Sequence, residues 1–370
     1  MMLDQNSLQI DAELAVESAF DFRSDAYRAL YKGSAATAFQ APIWMHMIHT
    51  RLATPLGAVQ YTITLRNRAD GELLAVLPMV LQKSAGVMMV QPADFGVCDY
   101  NAPVASLGVL EAMAASPAIL DRLDELVKAG GLLMYRKVRD DGFDISRLFR
   151  NAKASIAENC AYHTEVESDF DTWRRRTVSK KMTKELGRKS RQIETENGSF
   201  TQALLKDPAA ITEAVNFIRE TRRGRFEDDL LQNDIYFDFY RAYAVTTAES
   251  NESVLYAHYI DGKIIAALFA VQGDGEFHGV LIAADTENFG KYSPGIQIIY
   301  RTIKSRFEQG RRRFDMGLGN TGYKSHFRVE ETGLRNFTVA NTLMGAGVAM
   351  IYHHAKPLKD KLKKYVPNMH

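Results

Sequence analysis

The chain has 370 residues, 46% of them hydrophobic and 25% charged, and a formal net charge of +1. At ~100–200 residues per domain this length means two domains, and the composition excludes wholesale disorder, a collagen-like chain and a disulfide scaffold. The near-zero charge argues against a highly basic nucleic-acid binder, yet it hides an asymmetry. Residues 1–170 hold 15 Lys/Arg against 21 Asp/Glu and residues 171–370 hold 31 against 24, a net of −6 followed by +7. The second half is therefore where an anion is to be sought.

The opening MMLDQNSLQIDAEL has neither the basic nor the apolar stretch of a signal peptide. The run LLAVLPMVL (73–81) is shorter than the ~20 residues that span a bilayer. The expected location is the cytoplasm, with peripheral contact at the inner face of the membrane left open. Cys98 and Cys160 are the two cysteines. They sit in no CxxC or Cys/His cluster, so reduced thiols and no metal are expected. Residues 59–80 (VQYTITLRNRADGELLAVLPMV) read as a hairpin turning at Asp70-Gly71, because both turn positions favour positive φ. A further strand, GVMMVQ (86–91), leads into a loop with Asp94, Asp99 and Tyr100.

Residues 170–196 form the longest helix candidate, capped by Asp171 or Thr172. Within it, residues 174–191 carry nine Lys/Arg and one Glu. Arg174, Arg175, Arg176, Lys180, Lys181, Lys184, Arg188, Lys189 and Arg191 form either a solvated face or a surface for an anionic neighbour: a phosphorylated precursor, a membrane or RNA. Helices at 211–225 and 235–248 follow. The segment VLYAHYIDGKIIAALFAV (254–271) then repeats the first hairpin's pattern, turning at Asp261-Gly262. After the strand FHGVLIAA (277–284), KYSPGIQ (291–297) opens a helix over 296–309 that stops at Gly310. Free N–H groups and the helix dipole converge at that start. Gly295 admits close approach, Ser293 can cap and Lys291 adds charge, so the turn suits a phosphate. It also suits an ordinary Pro-initiated helix. The strand RRRFDMGLG (311–319) follows. In the tail KPLKDKLKKYV (356–366), Leu358, Leu362 and Tyr365 share one helical face among lysines, a pattern for interfacial docking or for packing on the chain itself. The domain boundary is expected near residue 160, giving domains 1–160 and 161–370, an α/β (α+β) chain with a duplicated unit.

The order DGKIIAALFA (261–270), KYSPGIQ, FDMGLG and YKSHF (323–327), with FQAPIWM (39–45), DGELLAVLPMV (70–80) and DYNAP (99–103) before it, resembles the CelD-type acyltransferases of the GNAT superfamily. These are named for cellulose or exopolysaccharide biosynthesis; the Fem-type peptidoglycan aminoacyltransferases are more distantly similar. The resemblance runs from about residue 38 to 330. It implies two GNAT-like domains, each a mostly antiparallel twisted sheet flanked by helices, and acyl transfer from acetyl-CoA or a longer acyl-CoA to an amine. It places the CoA pyrophosphate on Lys291, Tyr292, Ser293, Gly295 and Ile296. The chemistry needs a proton acceptor, a polarised carbonyl and a stabilised thiolate. Base candidates are His258, His278, Asp285 and Asp315. Tyr323 stands where the family places a tyrosine near the departing thiolate, and Lys324 suits a phosphate, a carboxylate or the oxyanion. Each has a packing role as its alternative. Asp94, Asp99 and Tyr100, with Arg176 and Lys180, are the substrate-binding candidates.

The acceptor is expected to be an amine of a cell-envelope precursor, a sugar or a lipid such as a sphingoid base. Fem-like transfer from aminoacyl-tRNA to a peptidoglycan precursor is the second expectation, and the only one with a nucleic-acid partner. A non-catalytic GNAT-like scaffold in envelope polysaccharide synthesis is the third.

Overall fold

The structure, a computed structural model, describes residues 11–166, 169–225, 229–273, 276–319 and 324–353. It divides into two compact units, Met1–Asn159 with Gly333–His370, and Cys160–Thr332.

The first unit begins with strands β1 (Ala12–Glu17), β2 (Ala58–Gln60), β3 (Thr62–Asn67), β4 (Leu73–Leu77), β5 (Met79–Ser84), β6 (Val87–Pro92), β7 (Leu132–Arg139) and β8 (Lys153–Ile156). Its helices are α1 (Asp25–Lys32), α2 (Pro42–Met47), α3 (Leu107–Ala115) and α4 (Pro117–Val127). The hairpin at Asp70-Gly71 forms as β3–β4, with Gly71 at φ +77°. It lies in a separate three-stranded sheet of order β1-β3-β4. Ser106 and Ser116 cap α3 and α4 by accepting the amides of Val109 and Ile119, the usual answer to the unpaired N–H groups of a helix start. These helices carry the chain from β6 to β7, which run parallel.

The second unit holds β9 (Ala161–Glu165), β10 (Phe200–Leu204), β11 (Ser253–Ile260), β12 (Lys263–Gln272), β13 (Glu276–Ala284), β14 (Arg313–Leu318) and β15 (Glu330–Thr332). Its helices are α5 (Phe170–Thr177), α6 (Lys180–Asn197), α7 (Pro208–Arg222), α8 (Asp234–Thr247), α9 (Thr286–Phe289) and α10 (Pro294–Glu308). The sheet order is β10-β11-β12-β13-β14-β9-β15. Asp261 (φ 44°) and Gly262 (φ 82°) make the two-residue turn between β11 and β12, Ile260 opposite Lys263. The helix expected over 170–196 is two helices. Val178 is extended (φ −109°, ψ 125°), and the Ser179 side chain accepts the Met182 amide to start α6.

The chain then returns to the first unit through β16 (Leu334–Ala340) and a helix α11 over 343–353. Here the structure differs from the expected domain 161–370. β16 pairs antiparallel with both β7 and β8. Its Leu334 and Phe337 are buried, and an apolar strand gains more from two flanking ladders than from an exposed edge. The first unit's larger sheet is therefore β2-β5-β6-β7-β16-β8.

Candidate active site

The second unit's sheet opens between β13 and β14. Only Glu276, Phe277 and His278 pair with Arg313, Phe314 and Asp315, whereas β13 continues to Ala284 and β14 to Leu318. The Asp285 amide bonds to Ile265 O on β12 at 2.9 Å. By alternation, Ile282 and Ala284 turn their backbone groups to the other edge, into the opening. Two arginines from the end of α7 meet them there: Arg222 Nη1 donates to Ile282 O at 3.4 Å and Arg225 Nη1 to Ala284 O at 3.2 Å. Asp229 fixes Arg222 through a 2.9 Å ion pair. The sequence reading did not single out Arg222 or Arg225, because their targets are backbone atoms about 60 residues downstream.

Beyond β13, the chain turns through Gly290–Tyr292 into α10. Pro294 has no N–H, and the Gln297 amide is the first to bond back, to Ser293 O at 3.1 Å. The amides of Gly295 and Ile296 thus point out of the helix start. A Cβ built on Gly295 would meet Ala284 Cβ at 3.6 Å, ordinary contact. Packing alone does not demand glycine there. Ser293 takes a left-handed conformation (φ 55°, ψ 53°) and does not cap the helix with its side chain; its hydroxyl accepts from Lys189 Nζ at 2.8 Å. Lys291 and the Tyr292 hydroxyl both bind Glu196 Oε2, at 2.7 and 2.6 Å. These partners and Gln192 hold the Glu196 carboxyl down at about 2. Tyr292 is buried among Ile193, Phe200, Ile260 and Ile265, so its ring is part of the core. α6 thus braces the turn, and the basic stretch lies beside the site.

On α6, Leu186 and Ile193 are the buried side chains. At 3.6 residues per turn, Lys180, Lys181, Lys184, Arg188 and Arg191 fall within an arc of about 100° opposite them. All five are exposed. Arg176 instead donates to Glu165 O at 3.1 Å on β9.

The polar heart of the sheet is a row across four strands. His278 on β13 lies opposite Asp315 on β14, Asp315 opposite His163 on β9, and His163 opposite Glu330 on β15. His278 Nδ1 is 3.7 Å from Asp315 Oδ2, its Nε2 is 3.0 Å from Glu276 Oε2, and His163 Nε2 is 3.6 Å from Glu330 Oε2. His163, His278 and Asp315 are buried. His163 Nδ1 has no hydrogen-bond partner among the described residues, a costly state for a buried polar atom. Asp315 also accepts the Gly317 amide at 2.7 Å, closing the turn after β14.

The other candidates fall elsewhere. His258 is fully buried on β11, bonded to Gln202 and in edge contact with Phe200. Burial, then the Arg301 charge, lowers its pKa to about 3. Its ring is part of the core. Asp285 caps α9 by accepting the Asn288 amide. Lys324 is buried and its ammonium donates to three successive carbonyls, Gly317, Leu318 and Gly319, at 2.8, 3.0 and 2.8 Å. It pins the Gly-Leu-Gly turn. Tyr323 and the lysine-rich tail lie outside the described residues. In the first unit Asp94 is buried. Burial alone would raise its pKa, but Lys137, Arg136, the Gly96 amide and Asn101 bring it down to about 2. Tyr100 is buried under Arg139 and against Phe39, and Asp99 is half-buried in the same loop. The Cys98 thiol, buried and bonded by Trp44 Nε1, is pushed far above the usual range.

Among the described residues no group of three or more His, Cys, Asp and Glu side chains is arranged to hold a metal ion, and no helix is long and apolar enough to cross a membrane.

Residues 180–325 match a family model described as an acetyltransferase (GNAT) domain. A comparison with curated proteins finds no match. Among solved structures the chain is similar to FemX, with TM-score 0.60 and 12% identity over 87% of this chain and 96% of that one. A conserved protein of unknown function from Bacteroides thetaiotaomicron gives TM-score 0.56 and 11% identity, over 88% and 99%. L-PGS from Bacillus licheniformis gives 0.54 and 13%, over 90% and 96%. At such identities the likeness is one of fold. The chain has a mixed α/β fold in two units, and most of the second unit matches the acetyltransferase (GNAT) domain model.

Proposed function

We propose that this chain is an acyl-CoA-dependent N-acyltransferase acting on an amine of a cell-envelope precursor. The observation that carries the reading is the opened β13/β14 pair leading to the α10 start, inside the segment that matches the acetyltransferase model. In this reading the outward amides of Gly295 and Ile296 bind the donor's pyrophosphate, with Lys189 and Lys291 as nearby cations. The N–H groups of Ile282 and Ala284 receive the acyl arm, while Arg222 and Arg225 hold the neighbouring carbonyls in place. Two roles shift from the sequence expectation. Lys324 orders the turn after β14, and His278 replaces His258 as the proton acceptor, oriented by Asp315. The amine nitrogen attacks the thioester carbonyl carbon, the C–N bond forms, the C–S bond breaks, and the ammonium proton passes to His278 while the thiolate leaves. The CelD-type motifs support a sugar or lipid amine, a sphingoid base being one case. The chain would then work in the cytoplasm, at the inner face of the membrane where the acceptor is a lipid. Asp99 and Lys180 stay as acceptor-binding candidates.

Calorimetry with acetyl-CoA and then palmitoyl-CoA tests the donor and reports acyl length. Absence of binding to both, in a folded protein, rejects the acyl-CoA reading and leaves the aminoacyl-tRNA and scaffold roles. The exposed cationic arc of α6 favours a second reading, transfer from an aminoacyl-tRNA, with which the fold likeness to FemX is compatible. Loss of activity on RNase treatment would select it.

A further inference from the structure

Helix α11 carries an exposed apolar stripe on the first unit. Between Asn341 and His353 the sequence has no Asp, Glu, Lys or Arg. Ala349 is buried, and Val348 and Tyr352 pack with it against Val87, Met89, Leu132 and Met134. On the opposite side Leu343, Met344, Met350 and Ile351 are 94%, 62%, 63% and 62% exposed. With Gly347 they occupy an arc of about 120°. A soluble surface has no use for such a stripe.

Its surroundings say what covers it. Met350, Ala346 and Ala349 also line a cavity of about 1260 Å³, together with Lys128 and Asp124 of the α4 end and Arg150 and Lys153 around the start of β8. Lys128 and Lys153 are exposed and make no ion pair among the described residues; Arg150 pairs with Asp121 and Asp124. In the sequence, residues 356–366 carry five lysines and one aspartate. An apolar stripe bordered by unneutralised cations is the arrangement of a monotopic anchor. A second copy of the chain is a poorer fit. Four aliphatic side chains bury about 60–120 Å² each, well short of the ~800 Å² per partner of a stable interface.

The geometry points to α11 as a docking surface for an anionic lipid bilayer: Leu343, Met344, Met350 and Ile351 enter the headgroup boundary while Lys128 and Lys153 meet lipid phosphates. This deepens only the membrane part of the proposed function and requires no acyl-transfer chemistry. Co-sedimentation of the full-length chain with phosphatidylcholine vesicles, with and without phosphatidylglycerol, tests it. Wild type binds the anionic vesicles. Leu343→Gln/Met350→Gln/Ile351→Gln, all at exposed positions, weakens binding on the order of tenfold or more. Lys128→Gln/Lys153→Gln weakens it about thirtyfold and removes the preference for phosphatidylglycerol. Neither variant changes turnover of a water-soluble amine, and a wild type that turns over such an amine without binding vesicles refutes the docking surface alone. The proposal also fails if the apolar variant binds vesicles like wild type. It fails if replacing only the five tail lysines abolishes binding while both helix-side variants retain it. A dimer in light scattering that the apolar variant dissociates, with vesicle binding unaltered, would assign the stripe to a second copy instead.

Discussion

Replacing Lys324 by methionine separates a turn-pinning lysine from a reacting one. The ammonium is buried, donates to Gly317 O, Leu318 O and Gly319 O at 2.8, 3.0 and 2.8 Å, and lies 4.7 Å from the Tyr162 ring centroid. Hydrogen bonds to a charged group are worth about 1.5–3 kcal/mol each, and the cation–π contact about 1 kcal/mol more. The sum overstates the net, because burying the ammonium itself costs several kcal/mol. What the variant does leave behind is three carbonyls stripped of their donor, at about 1–3 kcal/mol apiece when buried. Allowing for relaxation and water entry, Lys324→Met is expected to destabilise the second unit by about 3 kcal/mol. The chain has two tryptophans, Trp44 in the first unit and Trp173 in the second, so a Trp44→Phe background reports the second unit alone. Urea unfolding followed by Trp173 fluorescence gives the difference. A loss below ~1 kcal/mol with a large fall in kcat would refute the reasoning and return Lys324 to the role of oxyanion donor.

Gly295→Ala should fold normally, since its Cβ meets only Ala284 Cβ at 3.6 Å; Gly295→Leu should lower CoA affinity at least tenfold by calorimetry, and unchanged affinity would move the pyrophosphate site elsewhere. His278→Gln should reduce kcat by about 10²–10³ with little change in donor affinity, and a variant with wild-type kcat would discard the base assignment. If His163 acts through Asp315, its cross-strand neighbour, His163→Gln should reduce kcat less and shift the pH–rate profile; a profile matching wild type would leave His163 a packing residue. His258 has a folded-state pKa of about 3 against 6.5 unfolded, so its contribution is fully present above pH 6.5 and lost as pH falls from there toward 3. In that window the second unit should lose up to about 1.4 kcal/mol per pH unit from this group, and His258→Gln should flatten the slope seen by Trp173.

Features set by neighbouring residues were legible in the sequence. Asp261-Gly262 supplies the two positive φ angles a tight hairpin needs, and the Pro294 start of α10 follows from the missing N–H. What depends on register across distant strands was not. His163 belongs to a strand that the sequence reading placed at a domain boundary, and it becomes a site residue only because β9 inserts between β14 and β15. Asp315 was legible from the Gly-rich turn beside it, but its neighbour His278 is fixed by the parallel β13/β14 register. Ser293 is the reverse case. The residue looks like a helix cap, yet its hydroxyl is held by Lys189, 104 residues away, and local pattern has no access to that contact. The break at Val178-Ser179 was readable as a serine cap, but Val178 and Met182, four residues apart, also fit one face of a continuous helix.

The two units share a device and use it differently. In each, helices carry the chain from one strand to a parallel partner, β6 to β7 and β13 to β14, and the pairing lasts only two or three residues before the strands diverge. A diverging parallel pair exposes backbone groups that must find partners. The first unit satisfies them from within. Asp94, two residues past β6, reaches Arg136 and Lys137 of β7 at 3.4 and 3.6 Å, and Asn101 bonds both Asp94 Oδ2 and Arg136 O at 2.9 Å. Lys137 adopts a left-handed backbone (φ 57°) and donates to Cys98 O at 2.7 Å. A non-glycine residue in that region costs on the order of 1 kcal/mol, a cost consistent with a cluster that over-determines it. In the second unit the carboxylates that join β13 to β14 sit on the paired residues, Glu276 with Arg313 at 3.3 Å and Asp315 with His278 at 3.7 Å. Arginines take the β13 carbonyls, the helix-start amides face outward, and the titratable groups line up across the sheet. In the proposed reading a reacting thioester would need unspent donors and a movable proton, which directs the chemistry to the second unit's opening.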